Sequence, residues 1–449
     1  MKTTKLYCTL LAILFTINSC STSNSNYKFS KVTVQRVSNF ASEFRTYCAL
    51  DPKSNFELNA VDASFFGDFQ TALDQATKRE PVATDPSERF SHAAGEMDKA
   101  QIVRALQAEI SNPSTTAEDK SSAQTFLDLL TTPTAEELFA SSKSVSAISY
   151  IVEKAKAHHF TLINEAHYNS QHRAFTKELL KPLWEEGYRY LALEALGYED
   201  ISLQERGYPI IASGYYLKDS NFGNLVREAL QLGYTLVAYE TQNKHDGTPR
   251  DRDQAINIFK QTWNKDQKGK VLVHAGYNHI SEAGDTDYEP MGHQLKKLLN
   301  QEILTIDQVQ MVGLNDPLKL HPYYREAARN YELSEPTVFM SSKGEAIIDP
   351  ILRLGTDVQV YHPTTKYELG RPHWMKTSKL KQIPLTSEFD AYEGFLVQAL
   401  HQSEKEESVP VDQFIIGKGS AFLLQSGKYN LRIINCEGEL VGVAQLEID

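Results

Sequence analysis

Four short apolar runs in the middle of the chain each end in residues that can move protons. After 160–163 come Asn164, Glu165, Ala166 and His167, and after 190–193 comes Glu194. After 235–239 comes Glu240, followed a little later by Arg250-Asp251, and after 271–273 come His274, Gly276, Tyr277, Asn278 and His279. Of the 13 histidines, eight (His158, His159, His167, His172, His245, His274, His279 and His293) fall in this same stretch. Carboxylates beside imidazoles are the parts of general acid–base catalysis, because a fixed carboxylate holds the imidazole in one tautomer and lets it exchange a proton near neutral pH. Each residue alone also fits a structural role, a glutamate capping the next helix or a histidine satisfied in a core. Recurrence at four strand ends is what marks a site.

A parallel sheet would bring these ends together. Between the apolar runs lie amphipathic stretches at 174–186, 225–232 and 253–263, with Gly187 and Gly233 where left-handed C-terminal helix caps belong. Strand alternating with helix at this spacing predicts a parallel sheet covered on both faces, with ligands bound at the carboxyl ends of its strands. Residues 28–157 read as a helical supporting region, in which Ile102, Leu106 and Ile110 share one helix face. Residues 331–408 read as an irregular extension. Within it the segment holding Tyr361, His362, Arg371 and Trp374 reads as a lid or as a loop packed on the domain seam. Runs at 414–416, 421–424, 429–434 and 440–448, with Ser426-Gly427 and Glu437-Gly438 as turns, predict a C-terminal β unit over 409–449. The expected fold is therefore α/β: a parallel central sheet covered by helices at 158–330, an N-terminal helical region and a small C-terminal β domain.

The 449 residues carry 58 acidic against 46 basic side chains, a formal charge of −12. A chain this acidic, without a basic run, is repelled by phosphate backbones, which excludes nucleic acid as a partner and leaves a small-molecule substrate or ligand. At the N-terminus Lys2 and Lys5 precede an apolar stretch at 6–17 and then Asn18-Ser19-Cys20. That stretch suits a signal peptide and is too short to span a bilayer. Ile17-Asn18-Ser19-Cys20 resembles a bacterial lipobox, in which Cys20 receives the lipid; a plain secretory signal cut nearby is the alternative. The expectation is a signal peptide over 1–19, a polar tether over 20–27, and a lipid-anchored protein of the bacterial cell envelope. Cys48 and Cys436 either pair or remain two separate thiols.

The run Glu165-Ala166-His167-Tyr168-Asn169-Ser170-Gln171-His172 resembles the opening motif of the superfamily that contains erythromycin-esterase-like hydrolases, ChaN-type haem-binding lipoproteins and Tiki-type proteases. Leu191-Ala192-Leu193-Glu194 is similar to its second strand, Arg250-Asp251 with Ala255 and Asn257 to its Arg-Asp helix, and Val271–His279 to the strand that closes on Gly-x-x-His. The likeness covers roughly 158–315. Asn164 stands where these families have glycine, and Gln254 where methionine is usual; a side chain at 164 would narrow or repurpose the site if the glycine admits substrate. The esterase-like resemblance implies water attack on an ester, lactone or amide. Glu165 or His167 would take the proton, Glu194 would orient the imidazole, His279 would be the second acid–base group, and Arg250 would hold the oxyanion. Asn169, His172, Glu240, His274 and Tyr277 would contact the ligand. Absence of a Gly-x-Ser-x-Gly elbow disfavours a serine nucleophile. The Tiki-type resemblance implies zinc or manganese on Glu165, His167 and His279, with Glu194 nearby. The ChaN-type resemblance implies non-covalent haem on His172, Tyr168 or Tyr277. A catalytically inactive scaffold is the third reading, since fold does not secure function.

Overall fold

The computed structural model describes residues 26–50, 56–77, 99–131, 133–284, 287–350, 352 and 355–449. The signal peptide expected over 1–19 and the lipidated Cys20 lie outside the described residues. Among the described residues no helix is long and apolar enough to cross a membrane.

The centre is a six-stranded, wholly parallel sheet. Its strands are β1 (Phe160–Glu165), β2 (Tyr188–Leu193), β3 (Thr235–Ala238), β4 (Lys270–Gly276), β5 (Leu304–Asp307) and β6 (Val358–Gln359), in spatial order β6-β5-β1-β4-β2-β3. All six residues of β1 are buried, as a central strand covered on both faces requires. The sheet is an α/β layer as the sequence predicts. Its fifth and sixth strands were not legible, and β6 lies inside the stretch expected to be an irregular extension.

Helices cover both faces. On one side lie α1 (Ala147–Ala155), α2 (Ser170–Glu185) and α3 (Ser220–Leu232), which bury Ile151, Leu179, Leu183, Leu225 and Val226 against Ile163, Leu191 and Leu272. On the other lie α4 (Thr248–Gln261) and α5 (Met291–Leu299), which bury Ala255, Ile258, Met291 and Leu295 against Leu162, Ala192 and Val273. The two-residue alternation of a strand divides the side chains between these layers. Ile163 therefore places Glu165 on the α2/α3 side, while Leu162 places Asn164 on the other. Capping fixes where the helices begin and end. Asn169 and Asp219 accept from the backbone N–H groups of Gln171 and Asn221 (3.2 and 2.7 Å), and Gly233 closes α3 in the left-handed region.

The second unit is a six-stranded antiparallel sheet. β7 (Leu396–His401), β8 (Asp412–Ile415), β9 (Gly427–Ile434) and β10 (Leu440–Ile448) form it with two strands from the other end of the chain, Tyr27–Phe29 and Thr33–Val37, both paired to β10. Tyr429, Leu431 and Ile433 face its core as their alternation predicts. The N-terminal pair corrects two expectations. Tyr27 is not tether but strand, and the region from 28 onward opens in β structure before its helices. Cys48 and Cys436 are joined in a disulfide with a Cα–Cα distance of 5.6 Å, tying the helix Ser42–Cys48 to the turn between β9 and β10. Between the units, the 361–374 segment is packed at both ends, with an exposed hairpin tip at 366–370. Tyr361, His362 and Arg371 are fully buried, and Arg371 pairs with Asp412 of β8.

Candidate active site

Glu165 closes β1 and is the most heavily engaged group at the carboxyl edge of the sheet. Arg173 of α2 grips it from one side, Nε donating to Oε2 at 2.7 Å and Nη2 to Oε1 at 2.8 Å. His167 Nδ1 lies 2.9 Å from Oε1, and His274 Nε2, from β4, lies 2.9 Å from Oε2. Burial alone would raise the Glu165 carboxyl, but the Arg173 charge and these hydrogen bonds outweigh it and hold the group well below the usual carboxylate range. An ionised carboxylate only accepts, so His167 carries its proton on Nδ1 and His274 on Nε2. Glu165 is thus a fixed anion, not the base. The base edge is Nε2 of His167.

That imidazole is held in place by stacking and by backbone contact. Its ring stacks on Tyr216 (4.1 Å between centroids, 15° between planes) and meets the edge-on ring of Tyr277 at 5.0 Å. Beneath it runs Gly276 at the end of β4, where a Cβ would stand 2.6 Å from His167 Nε2. Only glycine lets the ring sit there.

A second assembly lies across this glycine. Glu194, just past β2, accepts from the Gly276 N–H (2.6 Å) and from Arg250 Nη2 (2.7 Å). Glu194 therefore does not orient the His167 imidazole, as expected from sequence; Glu165 does. Burial would raise Glu194, but His279, His167, the Gly276 N–H and Arg250 together lower it. Arg250, from the first turn of α4, also donates through Nε to Glu240 (3.1 Å) and through Nη2 to the other Glu240 oxygen, while its Nη1 lies 3.1 Å from His279 Nε2. His279 Nδ1 is paired with Asp251 at 2.5 Å, and Tyr288 donates to the other Asp251 oxygen. Burial lowers the His279 imidazole, yet the Asp251 hydrogen bond and the charges of Glu194 and Asp251 outweigh it and raise its pKa. The arrangement is two carboxylate–imidazole pairs, Glu165–His167 and Asp251–His279, flanking the Glu194–Arg250–Glu240 cluster.

Arg250 is the cation left for a developing anion. Of its five N–H donors, four point to Glu194, Glu240 (twice) and His279. One on Nη1 remains.

Several residues that the sequence offered as ligand contacts are structural. His172 is fully buried; its Nδ1 accepts from the Ala166 N–H (3.0 Å) and its Nε2 lies 3.0 Å from Asn169. Burial, then the neighbouring His362, push its pKa well down, so it stays neutral. It cannot reach a haem iron, and Asn169 serves as the α2 cap. His274 is likewise buried behind Glu165. Glu240 holds Arg250, and Tyr277 packs on His167. The residues do not fit a metal either. Both Glu165 oxygens are taken by Arg173, and among the described residues no three His, Cys, Asp or Glu side chains are grouped to hold an ion. The Glu165–His167–His279 set does not converge.

The departure at Asn164 does not narrow the site. Its side chain lies on the opposite face, donating to Asp307 (2.8 Å) and to the Tyr277 carbonyl (3.0 Å) and accepting from the Gln308 N–H (2.8 Å), so it laces β1 to β5. Gln254 donates to Glu240 at 3.0 Å. Sequence reasoning missed Arg173, Asp219, Tyr216 and Tyr288. Asp219 had a signal, an N-cap before a helical run; Arg173 had one only in its position a turn after Asn169.

No family model matches this chain, and no curated protein does. Among solved structures it is similar to the type III effector HopBA1 (TM-score 0.28, 14% identity, over 38% of this chain and 90% of that one). It is also similar to a structure described as bacterial protein toxins (0.29, 12%, 62% and 66%). A third is the C-terminal region of Pasteurella multocida toxin, described as having a thiol-protease-like catalytic triad (0.28, 11%, 88% and 58%). At these scores the likeness carries no argument about activity.

Proposed function

We propose that the chain is a hydrolase that attacks an ester, lactone or amide carbonyl directly with water. The observation that carries this is the pair of imidazoles, each anchored at Nδ1 by a carboxylate, on either side of an arginine with one uncommitted donor. His167 Nε2 takes a proton from water, and the Glu165 anion stabilises the imidazolium that forms. Hydroxide adds to the carbonyl, whose oxyanion meets the remaining Arg250 N–H. His279 donates its proton to the leaving oxygen or nitrogen as the carbon–heteroatom bond breaks. Its raised pKa suits the acid role, and protonation at Nε2 displaces the Arg250 donor toward the oxyanion. The resemblance of 158–315 to erythromycin-esterase-like hydrolases supports this reading. The test is turnover of aryl esters, lactones and amides by the purified chain. His167→Ala is expected to lower kcat by about 10²–10⁴-fold, and Glu165→Gln by about 10²-fold. Turnover that survives His167→Ala overturns His167 as the base and with it this mechanism; no turnover with any carbonyl substrate overturns the proposal and leaves the inactive scaffold.

We further propose that the protein is a lipoprotein of the bacterial cell envelope, anchored through Cys20. The paired Cys48 and Cys436 support placement outside the reducing cytoplasm. Metabolic palmitate labelling lost in Cys20→Ser, with release from the membrane fraction, is the expected result. Labelling that persists in the variant removes Cys20 as the anchor.

A further inference from the structure

Behind the candidate active site, the outer surfaces of α2 and α3 face the C-terminal sheet across a separate cavity of about 100 Å³. That is room for more than one water and for less than a drug-sized ligand. One group in its wall is a buried donor without an acceptor, and beside it stands a lysine that is in no ion pair among the described residues. Asn221 is 4% exposed, and its Nδ2 has no acceptor among the described residues. Lys177 is half-buried and feels the charges of Glu178 and Glu228 without forming an ion pair with either. The neighbouring cations are neutralised, Arg227 by Glu404 and Lys379 by Glu228. Both groups are donors, so a ligand that completes the site must bring acceptor oxygens. A buried donor left without an acceptor carries the full cost of its lost hydration. The indole of Trp374 forms part of the same wall and offers an apolar surface beside them.

We propose that this cavity binds a small molecule through an oxyanion group, a carboxylate or a phosphate, with Lys177 Nζ and Asn221 Nδ2 as its donors and Trp374 against its carbon skeleton. The site is independent of the hydrolase reading, since none of its lining residues belongs to the acid–base cluster. Calorimetric titration of the full chain with succinate and with inorganic phosphate, and with potassium chloride at matched ionic strength, tests it. Saturable binding of at least one oxyanion, none of chloride, and affinity at least about tenfold weaker in Lys177→Met and in Asn221→Ala are expected. Saturation by succinate alone assigns a carboxylate ligand, by phosphate alone a phosphate. No saturable heat with either oxyanion, an equal response to chloride, or affinity unchanged in the variants overturns the proposal. Should Lys177→Met fail to fold, Asn221→Ala, a smaller truncation at the second residue of α3, carries the same comparison.

Discussion

Glu165, His167, Glu194 and His279 are legible in the sequence because each is a titratable residue just past an apolar run, and Arg250 because it opens the helical stretch that follows one. Which of them pairs with which is not. A carboxylate selects its partners by the directions in which neighbouring helices present their side chains, and Arg173 won Glu165 through a bidentate fit that no linear spacing expresses. Asp251 reads in sequence only as the neighbour of Arg250, yet its hydrogen bond and charge, with the charge of Glu194, raise His279. That shift has a signed consequence for stability. A histidine whose pKa is raised on folding stabilises the fold fully below its unfolded pKa of about 6.5, and the contribution is lost as pH rises through the higher folded value. Urea unfolding of the parent and Asp251→Asn between about pH 5.5 and 9 should show the parent's lead greatest at the acid end and shrinking as pH rises. A lead that stays flat, or grows with pH, contradicts the Asp251–His279 assignment.

The elements that meet at Arg173 are the main mechanical joint of the core. Its guanidinium links β1 through Glu165 to α3 through Asp219, which accepts from Nη1 at 2.7 Å, and it packs over the Phe222 ring at 4.9 Å. All three ionic groups are buried, so removing the cation leaves two carboxylates uncompensated. Arg173→Met is expected to cost about 3–5 kcal/mol in denaturant unfolding, well beyond the loss of a surface ion pair. A cost below about 1 kcal/mol contradicts this joint. The strand alternation that sends Glu165 toward Arg173 was readable from Ile163 and Leu162. The helix register that meets it was not, because amphipathic periodicity locates a helix's apolar stripe but leaves free its rotation and slide against the sheet.

For the whole molecule, the N- and C-terminal segments form one body. The strands Tyr27–Phe29 and Thr33–Val37 pair with β10, Phe44 packs among Leu396, Ile434 and Leu440, and the Cys48–Cys436 bond locks the same corner across 388 residues of sequence. A cross-link over so long a loop removes much entropy from the unfolded chain. Reduction, or Cys48→Ser with Cys436→Ser, should lower stability by about 3–5 kcal/mol, read as a fall in urea midpoint, with a steeper slope as the released unfolded chain expands. An unchanged midpoint means that strand pairing and the Phe44 core alone hold this corner.

By itself the sequence determined the local rules: buried parallel strands from their continuous apolar runs, helix ends from Gly187 and Gly233, the alternating face of β9, and a crowd of proton-carrying residues at strand ends. These follow from backbone geometry and from apolar surface that must leave water, which act over a few neighbouring residues. Only the tertiary structure decided that Asn164 turns away from the site, that His172 and His274 stand behind it, that His167 rests on Gly276, and that Cys48 finds Cys436. Each of those depends on contacts between distant segments, whose closeness is set by how the layers pack and is not encoded in any one stretch of chain.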